Sequence, residues 1–210
     1  MASKVEICNF ALQNLGQELI TSLDEKTKNA RECNLRFDSA RRSLLRMHLW
    51  NFAIKRASLN RETSTPAFNY SYQFSLPSDC LKVIMTETEE TFQALTPIAI
   101  DPINTISEIP NRVTVDKYRI EGKKLISDEQ VVGIKYIADI TDTGQFDSNF
   151  TELLARLLAA NIARSITDSR TEAEYHLKVF QQEFEEYISI DSQEGVFDTI
   201  NYSTFLSSRF

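Results

Sequence analysis

Apolar residues recur along this chain with two different periods, and the places where the period changes divide it. Over residues 4–15, Val5, Cys8, Leu12 and Leu15 fall three or four apart, the spacing that gathers side chains on one face of an α-helix. Ser3 and Glu6 form a Ser-x-x-Glu capping box before that stretch, and Gly16 stands where a helix C-terminal cap belongs. A second helix is expected over residues 26–49, with Ala30, Cys33, Phe37, Ala40, Leu44 and Met47 as its apolar seam. Its length would be roughly 36 Å at 1.5 Å per residue.

After Trp50 the texture becomes that of strands rich in Val, Ile, Tyr and Phe, bounded by Pro77, Pro110 and Gly122. The segments are 52–59, 72–76, 80–86, 113–121, 124–127 and 131–137. The clearest hairpin is 118–127, where Gly122 can take the first central position of a type II′ turn. Residues 60–69 and 87–111 have weak periodicity and read as long loops, which in a compact domain are usually functional or ordered by a partner.

Helical spacing returns at residues 148–166, where Phe150, Leu153, Leu154, Leu157, Leu158, Ile162, Ala163 and Ile166 cover more than half of the circumference. So broad an apolar surface suits a central helix. A tight Thr167-Asp168-Ser169 link and a second capping box, Ser169 with Glu172, open a fourth helix with the seam Ala173, Leu177, Phe180, Phe184 and Tyr187. These last two helices are expected to form an antiparallel hairpin.

The fold class predicted is α+β, mainly α: a bundle of about four helices with a small antiparallel β unit inserted and an extended C-terminal arm. Residues 1–50 and 147–188 form one bundle domain, 51–146 the insertion with its long loops, and 189–210 the arm. The arm carries Val196, Phe197, Ile200, Tyr202, Phe205, Leu206, Arg209 and Phe210. Disordered tails avoid that many large apolar groups, so it is expected to dock on its own domain or on a neighbour.

Composition excludes more than it adds. With 210 residues, 42% hydrophobic and 25% charged, the chain can bury a core without disulfides or metal. No apolar run approaches the ~18 residues of a membrane span. The first residues lack the basic-then-apolar layout of a signal peptide, so synthesis and folding in a cytosol are expected. Cys8, Cys33 and Cys80 are widely separated, which argues against a disulfide framework or a zinc site.

Catalytic signatures are missing from the sequence. There is no Gly-rich phosphate loop, Gly-x-Ser-x-Gly, His-Glu-x-x-His or calcium loop, and only five glycines in all. Any metal or Ser-His chemistry would fall to His48 or His176. His176 reads as a packing or edge histidine beside Ala173 and Phe180, and His48 as part of the closure of the second helix. Adjacent acids such as Glu89 with Glu90, or Glu185 with Glu186, read as solvated surface. No enzymatic activity and no cofactor are expected; a hydrolase built on acids and His48 is the reading set aside.

Charge is distributed unevenly despite a net −7. Residues 31–56 hold Arg31, Arg36, Arg41, Arg42, Arg46, Lys55 and Arg56 against Glu32 and Asp38, so one alternative is a nucleic-acid-binding module that tracks phosphates with this segment. The favoured reading pairs Glu32 with Arg36 and Asp38 with Arg42 at i,i+4 and leaves the remaining arginines for a protein interface, because no aromatics interleave them as stacking platforms. Interface candidates are therefore Arg36, Arg41, Arg42 and Arg46. Facing them in character is the stretch 183–198, with Glu183, Glu185, Glu186, Asp191, Glu194 and Asp198 and no base, from which Glu183 and Glu186 are the acidic candidates. Opposed charges on one subunit suit head-to-tail packing.

Five stretches carry a family resemblance: ICNFALQNLG at 7–16, ARECNLRFDSARRSLLRMHLWNFAIKRASL at 30–59, YSYQFSLPSDCLKV at 70–83, YRIEGKKLISD at 118–128, and 133–167 ending in FTELLARLLAANIARSIT. In this order they resemble the tail tubular proteins of short-tailed bacteriophages, the head-to-tail adaptors beneath the portal. That family often has proline between the histidine and tryptophan, where this chain has His48-Leu49-Trp50. The C-terminal run to Arg209 and Phe210 is similar to family C-termini. The resemblance implies a structural virion protein: a homo-oligomer, as a twelve-membered ring, joining the portal protein to the tail nozzle, with tail fibres as a further candidate neighbour. It implies genomic DNA passing through the lumen without sequence-specific binding, no membrane, no catalysis, and residence at the head-tail junction after assembly in the host cytoplasm.

Overall fold

The computed structural model describes residues 2–87 and 118–194. The expected strand start at Val113, nearly all of the loop at 87–111, and the arm residues Val196, Phe197, Ile200, Tyr202, Phe205, Leu206, Arg209 and Phe210 lie outside the described residues. The chain divides into two compact units, one of residues 1–44, 50–52 and 142–210, the other of 45–49 and 53–141.

The first unit holds the helices α1 (Lys4–Asn14), α2 (Lys28–Met47) as far as Leu44, α3 (Ser148–Thr167) and α4 (Arg170–Glu194). The ends of α1 show how firmly local chemistry sets a boundary. Ser3 Oγ accepts from the Glu6 amide at 3.2 Å while the Ser3 amide donates to the Glu6 carboxylate at 2.6 Å, completing the capping box. At the other end Gly16 adopts φ +63, its amide donates to Gln13 O, and Gln17 N donates to Leu12 O, both at 3.0 Å. This is a Schellman closure, and it needs a residue at ease in the left-handed region. The face buried differs from the expected stripe: Ile7, Cys8, Ala11 and Leu12 are buried, whereas Val5 and Leu15 are only half-buried.

Helix α2 begins two residues later and ends two earlier than expected. Thr27 Oγ1 accepts from the Ala30 amide at 3.2 Å at its start. Ala30, Cys33, Phe37, Ala40 and Leu44 are buried as the seam requires, but Met47 is exposed. Trp50 folds back on the end of the helix, where its indole Nε1 donates to the last-turn carbonyl Leu44 O at 2.9 Å. Trp50 is fully buried and meets Phe150 edge-on, with centroids 5.1 Å apart. Phe52 and Phe146 lie against the same Phe150 ring at 5.0 and 4.9 Å. Four aromatic rings thus join the point where the chain leaves the helical unit, at residues 50–52, to the point where it returns, at 146–150. This also explains why residues 51–53 form a 3₁₀ turn instead of the expected first turn of strand.

Helix α3 is the central helix that its broad apolar surface predicted, packing directly on both α1 and α4. Asp147 caps it, and Asp168, at φ 53, supplies the left-handed turn into α4. The second capping box is half-formed. Ser169 Oγ accepts from the Glu172 amide at 3.3 Å, but the Ser169 amide donates to Thr167 Oγ1, and the Glu172 carboxylate lies 3.6 Å from His176. The α4 seam is also rotated from the expected one: His176 and Phe180 are buried, Glu183, Phe184 and Tyr187 half-buried, and Leu177 exposed. The helix continues to Glu194, through the first residues of the expected arm.

The second unit contains two three-stranded antiparallel sheets. Strands β1 (Ile54–Ser58), β6 (Gly133–Ala138) and β3 (Cys80–Glu87) form one, with β6 central; β2 (Tyr72–Ser75), β5 (Lys124–Ser127) and β4 (Tyr118–Glu121) form the other, with β5 central. The β4–β5 hairpin turns on Gly122 at φ +61, and Lys123 is not in the left-handed region, the combination a type II′ turn requires. Val131, expected in a strand, is exposed ahead of β6.

Candidate interaction surfaces

The arginines of α2 divide by helical phase. Arg36, Arg42 and Arg46 are exposed, but Arg41 is 1% exposed, with Nε 3.5 Å from Asp38 Oδ1. Asp38 also holds Lys4 Nζ at 3.4 Å, and that ammonium lies 4.8 Å from the centroid of Phe37. Arg41 is therefore part of the joint between α2 and the first turn of α1, and its candidacy as an interface residue is corrected. The signal was available: Arg41 is four residues after Phe37 and three before Leu44, a seam position.

The acidic candidates divide in the same way. Glu183 Oε2 accepts from Arg156 Nε at 3.0 Å, and the same guanidinium donates to Asn14 Oδ1 at 2.8 Å. One arginine on α3 thus ties α4 and α1 together, and Glu183 is committed inside the chain instead of being offered to a partner. Glu186 is exposed, as is Glu185. The arm candidates Val196, Phe197, Ile200, Tyr202, Phe205, Leu206, Arg209 and Phe210 lie outside the described residues.

His176 is 5% exposed and turned toward α3, where Arg156 and its own neighbour Glu172 are the charges that act on it. Burial holds its imidazole below the ordinary value, Glu172 pulling up and Arg156 down. Its Nδ1 is buried with no hydrogen-bond partner among the described residues. That is a packing histidine, as its spacing suggested. Cys8 and Cys33 are both buried and meet through their thiols, and this contact with Cys33, with burial, pushes Cys8 upward.

On the β unit, Asp79 accepts from Lys55 Nζ at 3.0 Å and from the Tyr136 hydroxyl at 3.1 Å. Burial works against the Asp79 charge, yet these bonds leave its carboxyl below the usual range, and Tyr136 is pushed up to about 12 by burial and the Asp79 charge. Glu62 takes Lys124 Nζ at 2.7 Å and Gln73 Nε2 at 2.9 Å, while Arg61 stacks 3.9 Å over Tyr72. These pairs bind the loop at 60–69 to the sheet; the sequence did not signal them because each joins residues far apart in the chain. Among the described residues no three His, Cys, Asp or Glu gather as a metal site, and no helix is long and apolar enough to cross a membrane.

No known family model matches the chain, and no curated protein resembles it significantly in sequence.

Proposed function

We propose that this chain is a structural subunit of a bacteriophage tail, a head-to-tail adaptor that forms a ring between the portal and the tail nozzle and lines part of the DNA passage. The observation that supports the assembly reading is the uneven exposed charge of the helical unit: α2 exposes Arg31, Arg36, Arg42 and Arg46 against Asp38, while the second half of α4 exposes Glu185 and Glu186 and has no base after Lys178. Charge of both signs on one subunit suits head-to-tail packing. The five ordered stretches that resemble tail tubular proteins give the assembly its identity and, as in that family, suggest twelve copies. The apolar residues of 196–210 serve as the arm that engages the portal or a neighbouring subunit, folding as it binds.

The nucleic-acid reading of residues 31–56 loses ground physically, since Arg41 is buried and Lys55 is committed to Asp79. Deleting residues 196–210 tests the proposal: the truncated chain should keep its far-UV circular dichroism and lose portal binding or ring assembly. Assembly undiminished by the deletion would remove the arm from the account, and strongly salt-dependent binding of mixed-sequence duplex DNA by the free subunit would favour the nucleic-acid reading.

A further inference from the structure

Helices α1 and α2 run antiparallel, and two contacts about one turn apart show it. Lys4 reaches across to Asp38 at 3.4 Å, and Cys8, one turn later on α1, meets Cys33, earlier on α2, with its thiol donating to the Cys33 sulfur. The segment that joins the two helices is tied down as well. Asn9 Nδ2 donates to Ile20 O and Ile20 N donates to Asn9 Oδ1, both at 2.9 Å. Asn29 Nδ2, one turn before Cys33, donates to Glu18 O at 2.9 Å. The two sulfurs are therefore held together by contacts on either side of them, and both residues are 0% exposed.

Two free thiols in contact are the reactants of a disulfide. Its formation needs the sulfurs to close by about 1–2 Å, from hydrogen-bond contact to a bond of about 2.05 Å. The third cysteine of the chain, Cys80, is half-buried and belongs to the other compact unit. Accepting the Cys8 proton holds the Cys33 thiol below its ordinary value, against the effect of burial, which makes Cys33 the attacking sulfur and Cys8 the resolving one. The wide separation of the two positions in the chain hides the pair from any reading by local spacing.

We propose that Cys8 and Cys33 form a redox-sensitive staple between α1 and α2, open as a dithiol under reducing conditions and closed to a disulfide by peroxide. The Cys33 sulfur attacks one oxygen of hydrogen peroxide; the O–O bond breaks, the released hydroxide takes the thiol proton as water, and Cys33 becomes a sulfenic acid. The Cys8 sulfur then attacks the Cys33 sulfur, the S–O bond breaks, and a second water leaves with the Cys8 proton. Two thiols lose two electrons in all, and one peroxide is reduced to two waters. Burial selects the oxidant by size: peroxide, little larger than water, enters through side-chain fluctuations that a bulky disulfide reagent cannot use. The staple closes the loop from residue 8 to residue 33 and so stabilises the helical unit whether or not the chain assembles.

The full chain carrying Cys80→Ser, in which the pair holds the only thiols, tests this. Reduced protein is exposed to millimolar hydrogen peroxide at neutral pH, quenched, alkylated in denaturant and digested for mass spectrometry, with circular dichroism to verify folding. The same link is mapped in the unaltered chain, which guards against an effect of the substitution. The expected product is a monomer with one peptide pair joining Cys8 to Cys33, reversed by dithiothreitol, and with a thermal midpoint at least about 5 °C above that of the reduced form. Adding Cys33→Ser removes both the link and the dithiothreitol-sensitive shift. Folded protein whose two thiols stay open to alkylation, or go only to sulfinic acid or to links between chains, overturns the proposal. A Cys8–Cys33 link that leaves the midpoint unchanged or lowers it overturns the staple equally.

Discussion

Replacing Trp50 with Phe keeps an aromatic ring at the junction of the two crossings but removes the indole donor. In the native chain that donor bonds Leu44 O at 2.9 Å, in a fully buried setting beside Phe150. Loss of the bond leaves a buried carbonyl without its donor, which costs about 1–2 kcal/mol. The smaller ring also leaves a void, worth about another 1 kcal/mol. The expected destabilisation is therefore about 2–3 kcal/mol, and Trp50→Ala, which also loses the edge-on contact with Phe150, should cost about 3–5 kcal/mol. Urea unfolding followed by far-UV circular dichroism measures it, because the substitution removes the chain's only tryptophan and with it the fluorescence signal. With a slope of about 2 kcal/mol per molar urea, the Phe variant should unfold about 1 M earlier. A Phe variant within about 0.5 kcal/mol of the native chain would refute the view that Trp50 closes α2 and anchors the cluster.

Further consequences follow from individual residues. His176 is depressed in the folded chain, so the unfolded chain binds the proton more readily: its contribution to stability is complete above the ordinary value near 6.5 and is lost as pH falls below it. His176→Leu should flatten the stability profile in that window and, by removing the partnerless Nδ1, stabilise the fold by about 1 kcal/mol at pH 5.5; an unchanged slope in pH-dependent denaturation contradicts this. Arg156→Met removes the link from α3 to Glu183 and Asn14 and should cost about 1–2 kcal/mol, while raising the His176 titration midpoint by proton NMR, since Arg156 now opposes its protonation; a midpoint that stays put or falls argues against that coupling. Gly122→Ala has free space for the added methyl but must hold φ +61, so it should cost about 1 kcal/mol in thermal unfolding; no cost would mean the turn has another geometry. In the folded chain Cys8 and Cys33 should resist a disulfide-exchange reagent until unfolding, with half-buried Cys80 reacting first.

Much of this architecture was legible because it is written locally. Ser3, Glu6 and Gly16 marked both ends of α1, Gly122 marked the β4–β5 turn, and the dense apolar residues of α3 marked the central helix, since each signal lies within a few residues of its effect. Helical phase was read less well. The stripe assigned to α1 ran through Val5 and Leu15 and passed over Ile7 and Ala11, and counting only apolar residues in α2 and α4 passed over Arg41 and Glu183, so two buried or committed groups looked like surface. A polar residue in a seam is recognisable only by asking which partner could satisfy it, and Asp38 and Arg156 answer that from outside the local window. The Trp50–Phe52–Phe146–Phe150 cluster was invisible for a related reason: its rings are separated by nearly a hundred positions of inserted chain, and no local pattern spans that distance.

The claim that matters most is that the chain works by assembling. Negative-stain imaging of the purified chain, alone and mixed with portal rings, tests it most directly. The account predicts closed rings of the chain at high concentration or a collar of additional density on one face of the portal ring. Free monomers beside unaltered portal rings would contradict it.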